Sequence, residues 1–204
     1  MNGLTFDEAT HTYMLGRRIL PSVSAIIRPI SFAGLEHVHP ETLARAAEFG
    51  TAVHKITEDF DTNGSEDVGL GVPTDVHQCL HWWLAFCRDY EVRHLHVEAR
   101  LYHGLYGYAG TLDRLSIVRD EPAIIDIKTS EPHAWHGVQL AGYAAAALDR
   151  GLIDSGAVRR YGVYLDPDRA YRVREYTLGH DFLMFNALRV QREWHALTQG
   201  GEAL

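Results

Sequence analysis

Residues 108–129, YAGTLDRLSIVRDEPAIIDIKT, contain two runs rich in β-branched and aliphatic side chains, separated by an Asp-Glu-Pro turn. Runs of this kind on either side of a turn predict strands, here over Tyr106–Val118 and Ala123–Thr129. The segment His94–Tyr102 has a similar composition and is followed by a His-Gly turn signal. We therefore expect three consecutive strands in the middle of the chain.

Helical periodicity dominates on both sides of these strands. Apolar residues recur there every three or four positions, which is the spacing of one face of an α-helix. The order of elements predicts a mixed α/β (α+β) fold, with a central mixed β-sheet flanked by helices rather than a doubly wound sheet. The predicted elements are helices over Pro40–Asp61, Thr74–Tyr90, Trp135–Arg150 and Asp181–Leu197, strands over 158–165 and 171–176, a hairpin within 4–20, and a short helix from Pro21-Ser22 that stops near Pro29.

The composition favours one globular domain. The chain has 204 residues, 46% of them apolar, and no internal repeat or long linker interrupts it. We expect an N-terminal hairpin and short helix in residues 1–39, the core in 40–178 and a C-terminal helix in 179–204. No apolar run approaches the roughly 20 residues of a membrane-spanning helix, and the first residues lack the pattern of a secretory signal. These features predict a cytoplasmic protein that does not contact a membrane.

Charge and cysteine content exclude some classes of function. With 19 basic and 27 acidic residues the net charge is −8, which argues against a protein that coats nucleic acid with a broad basic surface. An enzyme that gathers carboxylates around a divalent cation remains compatible with this charge. Cys79 and Cys87, eight residues apart on one predicted helix, would lie roughly 12 Å apart, too far for a disulfide. Two thiolates are also too few for an iron–sulfur cluster.

The predicted strands place acidic and basic side chains together. Asp126 and Lys128 point to the same face because strand side chains alternate. A short turn lets Asp113 of the preceding strand approach Asp126. Two carboxylates at such a short distance repel each other, which favours the binding of a divalent cation. The main-chain carbonyl of Ile127 adds a possible oxygen ligand, and Lys128, one of two lysines in the chain, can orient water beside the metal. Phosphodiester hydrolysis needs these residue types.

Four short motifs in order resemble the PD-(D/E)XK nuclease superfamily, and most of all its RecB-like and phage-exonuclease branch. The strands carry Gly-x-x-Asp at 110–113 and Asp-x-Lys at 126–128. The preceding helix carries Gly-x-x-x-His-x-x-x-Glu at 50–58, and the following helix carries Gln-x-x-x-Tyr at 139–143. A Val-Glu pair at 97–98 and the opening FDEATHTYMLGRRILPSVSAII are similar to the same branch.

The resemblance implies a restriction-endonuclease-like αβββαβ core and a set of residue roles. Asp113 and Asp126 would be metal ligands, Lys128 the catalytic lysine, and His54 a residue that approaches the metal or the phosphate. Gln139 and Tyr143 would line the groove, and Glu98 would be either a second ligand or a structural acceptor. The cofactor would be one or two Mg²⁺ or Mn²⁺ ions, without an iron–sulfur cluster, and without ATP because no Walker A sequence is present.

The implied activity is an exonuclease acting on DNA in recombination, repair or processing, inside a bacterial or phage-infected cell. A single-strand annealing or recombination protein is a possible partner, and oligomerisation stays open. A structure-specific endonuclease on the same fold and a DNA-binding subunit without turnover are the alternatives.

Several of these residues also have structural interpretations. His54 could be a core histidine, Asp126 a charge at a sheet edge, and Gln139 and Tyr143 boundary residues with satisfied polar tips. Alternating histidines at 94, 96 and 103 suggest either a zinc site or solvent-facing side chains. Two arginine clusters could be a solvated sheet edge or a track for DNA phosphates: Arg159-Arg160 and Arg169, Arg172 and Arg174.

Overall fold

A five-stranded sheet between two layers of helices forms most of the molecule. The computed structural model describes residues 3–35, 37–64, 71–154 and 158–199, which form five helices and two sheets. In chain order the elements are β1 (Leu4–Asp7), β2 (Thr12–Leu15), β3 (Arg18–Leu20), α1 (Val23–Ser31), α2 (Pro40–Asn63), α3 (Thr74–Asp89), β4 (Arg93–His103), β5 (Tyr108–Val118), β6 (Glu121–Lys128), α4 (Ala134–Asp149), β7 (Arg159–Asp166), β8 (Arg169–Glu175) and α5 (Asp181–Thr198).

The large sheet is mixed, as the sequence predicts. Its strands follow the order β4-β5-β6-β7-β8, and neighbours are antiparallel except for β6 and β7. Parallel neighbours need a long crossover connection, and α4 provides it. The small sheet has the order β1-β2-β3, so the predicted hairpin has a third strand. Tyr13 of β2 joins the two sheets through a 2.7 Å hydrogen bond between its hydroxyl and Thr111 Oγ1 of β5.

Each face of the large sheet has its own apolar core. Ile124 of β6 packs with residues of α1, α4 and α5, whereas Ile125 and Ile127 pack with residues of α2 and α3. This alternation along β6 is the period of two that a strand buried on both faces shows. It places Asp126 and Lys128 on the same side as Ile124, toward α4.

The predicted elements from α1 to α5 agree with the structure to within about two residues. The Ser22 side chain caps α1 by accepting the Ala25 N–H at 3.0 Å. The helix was predicted to stop near Pro29; it includes Pro29 and ends two residues later, at Ser31. A proline so close to a helix end removes one backbone hydrogen bond but leaves a later one, from Phe32 N–H to the Arg28 carbonyl at 3.1 Å, intact.

The ends of the predicted terminal segments, residues 1–2 and 200–204, lie outside the described residues. Within the described ranges, a search for a helix of sufficient length and apolar character to cross a membrane finds none.

Candidate metal and catalytic site

The candidate site lies where β5 and β6 separate. Backbone pairing between the two strands runs from Val118 and Glu121 to Arg114 and Ile125. Beyond this point the Asp113 carboxylate replaces a backbone acceptor, because its Oδ2 accepts the Ile127 N–H at 2.7 Å. This contact uses the Ile127 N–H, whereas the prediction for Ile127 concerned its carbonyl as a possible oxygen ligand. The buried hydrogen bond fixes the position of the Asp113 side chain.

Asp126 and Lys128 form a buried ion pair on the adjacent part of β6. Lys128 Nζ lies 2.6 Å from Asp126 Oδ2, although that oxygen makes no hydrogen bond of good geometry within the described part of the chain. Burial raises the pKa of Asp126 to about 6, against the effect of the Lys128 ammonium and with a contribution from Asp113. Burial alone would lower the pKa of Lys128, but the carboxylates of Asp126 and Asp113 outweigh it and raise that pKa. Lys128 is therefore a charged ammonium at neutral pH.

Glu98 of β4 lies opposite Asp113 on the neighbouring strand β5. The pairs Val97–Arg114 and Ala99–Leu112 bracket these two acids. Glu98 has a φ of 47°, in the left-handed region that non-glycine residues rarely occupy. Strained conformations of this kind concentrate at functional sites, where surrounding contacts hold them in place. Burial and the Asp113 carboxylate raise the pKa of Glu98 to about 7, although Arg114 opposes the shift.

The third component is His54, which α2 directs toward Asp113. The His54 Nδ1 atom lies 3.6 Å from Asp113 Oδ2. One turn earlier, Gly50 lies beside the residue that follows β6, since a methyl group there would be in ordinary van der Waals contact with Thr129 Oγ1 at 3.4 Å.

His54, Glu98 and Asp113 together form a group that could hold a metal ion. One possible ligand atom from each lies within 4.8 Å of the other two. His54, Glu98 and Asp113 were all predicted as metal ligands, whereas Asp126, the other predicted aspartate ligand, is not a member of this group and pairs with Lys128. One imidazole and two carboxylates offer nitrogen and oxygen donors to a divalent cation, and this donor set does not by itself select one metal.

Gln139 and Tyr143 lie on the face of α4 that covers the site. Both are buried, and Gln139 Oε1 has no hydrogen-bond partner among the described residues. Tyr143 packs directly on Gly110 of β5, where a methyl group would lie only 2.7 Å from Tyr143 Cε1. Burial, followed by the carboxylates of Asp126 and Asp113, raises the pKa of Tyr143 well above its ordinary value. The phenol therefore stays protonated and can donate a hydrogen bond.

A buried arginine, Arg114, holds one member of the metal group in place, and it was not predicted from the sequence. Arg114 is fully buried and donates to Glu98 Oε1 at 3.0 Å and to Asp61 Oδ2 at 2.7 Å. Asp61 also accepts hydrogen bonds from the Trp83 ring N–H. Two signals were present in the sequence: an arginine inside the apolar run LDRLSIV, and Asp61 two helical turns after His54 on the same face of α2.

The histidines considered for zinc do not form a common site in the described ranges. His94 contacts Ser116 Oγ at 2.9 Å and lies 3.4 Å from Asp61, whereas His103 lies 3.6 Å from Asp149. These two histidines thus serve separate polar contacts.

The predicted arginine track lies partly beside the site. Across β7, Arg174 of β8 is in register with Asp126, and Arg172 is in register with Lys128. Arg172 makes a two-point ion pair with Glu131, at 2.8 and 2.9 Å, while the guanidinium of Arg174 lies over the Tyr176 ring. Both arginines share the sheet face of Asp126 and Lys128.

No model of a known protein family matches the chain. A search of curated proteins likewise finds no match.

Proposed function

We propose that the protein is a divalent-metal-dependent DNA nuclease that hydrolyses phosphodiester bonds. Within that class we propose an ATP-independent exonuclease of phage type, with a core like that of the PD-(D/E)XK enzymes, acting in DNA recombination, repair or processing. The observation that carries the proposal is the group of His54, Glu98 and Asp113, with the Asp126–Lys128 ion pair beside it.

The donor atoms of this group fit a divalent cation. Asp113 is held in place by the Ile127 N–H, and the partly exposed Glu98 is held by Arg114, so two carboxylates are fixed close to one another. Carboxylates crowded in this way repel each other unless a cation or a proton separates them. A bound Mg²⁺ or Mn²⁺ would polarise a phosphoryl oxygen and lower the pKa of water.

The remaining residues act on the substrate and on the attacking water. The Lys128 ammonium, fixed by Asp126, can donate a hydrogen bond to that water or to a phosphate oxygen and stabilise the negative charge that develops there. The Tyr143 phenol, which stays protonated, can donate a hydrogen bond in the same region. No covalent enzyme intermediate is required.

DNA is the proposed substrate because basic side chains continue from the site across the sheet. Lys128, Arg172 and Arg174 share one sheet face on β6 and β8, and Arg174 is exposed at its edge. A local row of cations can follow a phosphate backbone although the whole chain is acidic.

The experiment is a cleavage assay on end-labelled single- and double-stranded DNA with Mn²⁺, Mg²⁺ or a chelator. Asp113→Asn and Lys128→Ala should each lower the rate by at least about 100-fold, because each removes a group that acts on the reacting phosphate. Their matched controls are Asp154→Asn, an exposed aspartate, and Lys55→Ala, the other lysine, which pairs with Asp59 on the surface. Equal rates in all variants would overturn the proposal.

Substrate topology separates the exonuclease from its alternatives. A covalently closed circular DNA offers no end, so an exonuclease leaves it intact and a structure-specific endonuclease nicks it. A subunit without turnover would bind DNA with or without metal and cleave neither substrate.

A further inference from the structure

The outward face of α5 is apolar, although the helix already uses its other face for packing. Leu183, Val190, Trp194 and Leu197 are 62%, 48%, 58% and 70% exposed. With the exposed Ala187 between them, these residues follow a spacing of four, three, four and three. Side chains at this spacing form a straight stripe along one side of a helix, about 21 Å long at 1.5 Å per residue. We call these five residues the α5 stripe.

The α5 stripe lies opposite the side of the helix that contacts the rest of the molecule. Phe185 and Leu188 point inward and join the core beneath α4. From Gln191 to Gln199 every residue is exposed, so the last two turns of α5 extend beyond the rest of the described chain. A helix end that no other described element covers, and that carries an exposed tryptophan and leucine, has the composition of an interface rather than of a solvated helix.

The α5 stripe is a continuous surface, not a scatter of single side chains. From the exposed fractions, it offers on the order of 500 Å² of apolar surface, as large as the largest apolar patch of a typical monomer. Alternation of three and four residues is the pattern by which one helix packs against another in a coiled-coil seam. A second helix with the same spacing is therefore the shape that fits it.

We propose that the occupant is a second copy of this chain, with the two α5 helices packed side by side about a two-fold axis. Residues that flank the stripe permit close approach of two copies. Asn186, Gln191 and Thr198 are uncharged, and Glu193 is neutralised by Arg189 of its own helix at 3.0 Å. The net charge of −8 opposes the association of two copies, so an uncharged, apolar face is where they can approach at the lowest electrostatic cost.

In an antiparallel arrangement, each copy covers the last two turns of the other copy's α5 helix. The Trp194 end of each α5 then lies along the Leu183 end of its partner, where the partner's helix is backed by its own core. The two stripes together would bury on the order of 1,000 Å², the lower range for specific interfaces, so we expect a reversible dimer with a dissociation constant of micromolar order.

The test is sedimentation velocity of the whole chain from about 2 to 200 μM. The wild type should shift from monomer to dimer over this range. Val190→Glu places a carboxylate in the middle of the stripe and should weaken the dimer at least tenfold. Arg192→Gln changes the charge by the same amount on the opposite side of the same helix and should leave dimerisation unchanged.

Two results would overturn the dimer: a wild type that stays monomeric at 200 μM, or a dimer that Val190→Glu does not weaken. A monomeric protein whose α5 stripe is covered by a different macromolecule falls under the first result. Since Val190 is exposed, circular dichroism should show the same folded spectrum for all three proteins, which confines the effect to association.

Discussion

At the scale of single residues, the site depends on charges that are buried and held by other charges. Arg114 shows this most clearly, because it links Asp61 of α2 to Glu98 of β4 without any exposed surface. A guanidinium in such a place is stable only while both carboxylates remain. The same contacts hold Glu98 in its strained backbone conformation, so Arg114 acts on the metal group through Glu98.

The raised pKa of Glu98 predicts how stability depends on pH in the absence of metal. Its folded pKa of about 7 lies above the ordinary value of 4.5, so the folded state binds a proton that the unfolded state has released between these values. The free energy of unfolding should therefore fall as pH rises from about 4.5 to about 7. Allowing for partial exposure, we expect Glu98 to contribute roughly 1 to 3 kcal/mol of this loss.

The measurement is urea unfolding across this pH range with a chelator present. Glu98→Gln should flatten the decline, whereas Glu48→Gln, at an exposed position on α2, should keep the wild-type slope. Identical slopes in the wild type and in Glu98→Gln would contradict the assignment.

At the scale of elements, the sequence predicts which segments form but not all of their contacts. Pro40 and Asn63-Gly64 bound α2 as the sequence suggests, with Gly64 in the left-handed conformation at its end. The partners of Asp113 were less predictable. They depend on where β5 and β6 separate and on the strained backbone at Glu98, and neither feature leaves a periodic signal in the sequence.

Because Tyr143 of α4 packs closely on Gly110 of β5, a larger residue at position 110 should destabilise the fold. Gly110→Ala would place a methyl group 2.7 Å from Tyr143 Cε1. Tyr143 and α4 must then shift, which should lower the free energy of unfolding by about 1 to 3 kcal/mol. Gly179→Ala is the control, because no atom lies within 4 Å of the added methyl group, and it should change stability by less than about 0.5 kcal/mol. Equal urea midpoints for the two variants would show that the contact is not tight.

At the scale of the whole molecule, the candidate site joins the sheet to one helical layer. His54 comes from α2, whereas Glu98 and Asp113 come from the consecutive strands β4 and β5, about 40 to 60 residues further along the chain. The sequence motifs identified all three residues as candidates, but only the fold shows that Glu98 belongs with His54 and Asp113, while Lys128 holds Asp126. Long-range assembly of this kind follows from strand order and register, which local patterns do not specify.

The most direct test of this account is urea unfolding with and without Mn²⁺. A cation that binds only the folded site should raise the free energy of unfolding by about 2.7 kcal/mol at 100 times its dissociation constant. The account predicts this increase for the wild type, for Asp154→Asn and for Lys128→Ala, and its loss in Asp113→Asn. An increase of equal size in Asp113→Asn, or none in the wild type, would contradict a metal site formed by His54, Glu98 and Asp113.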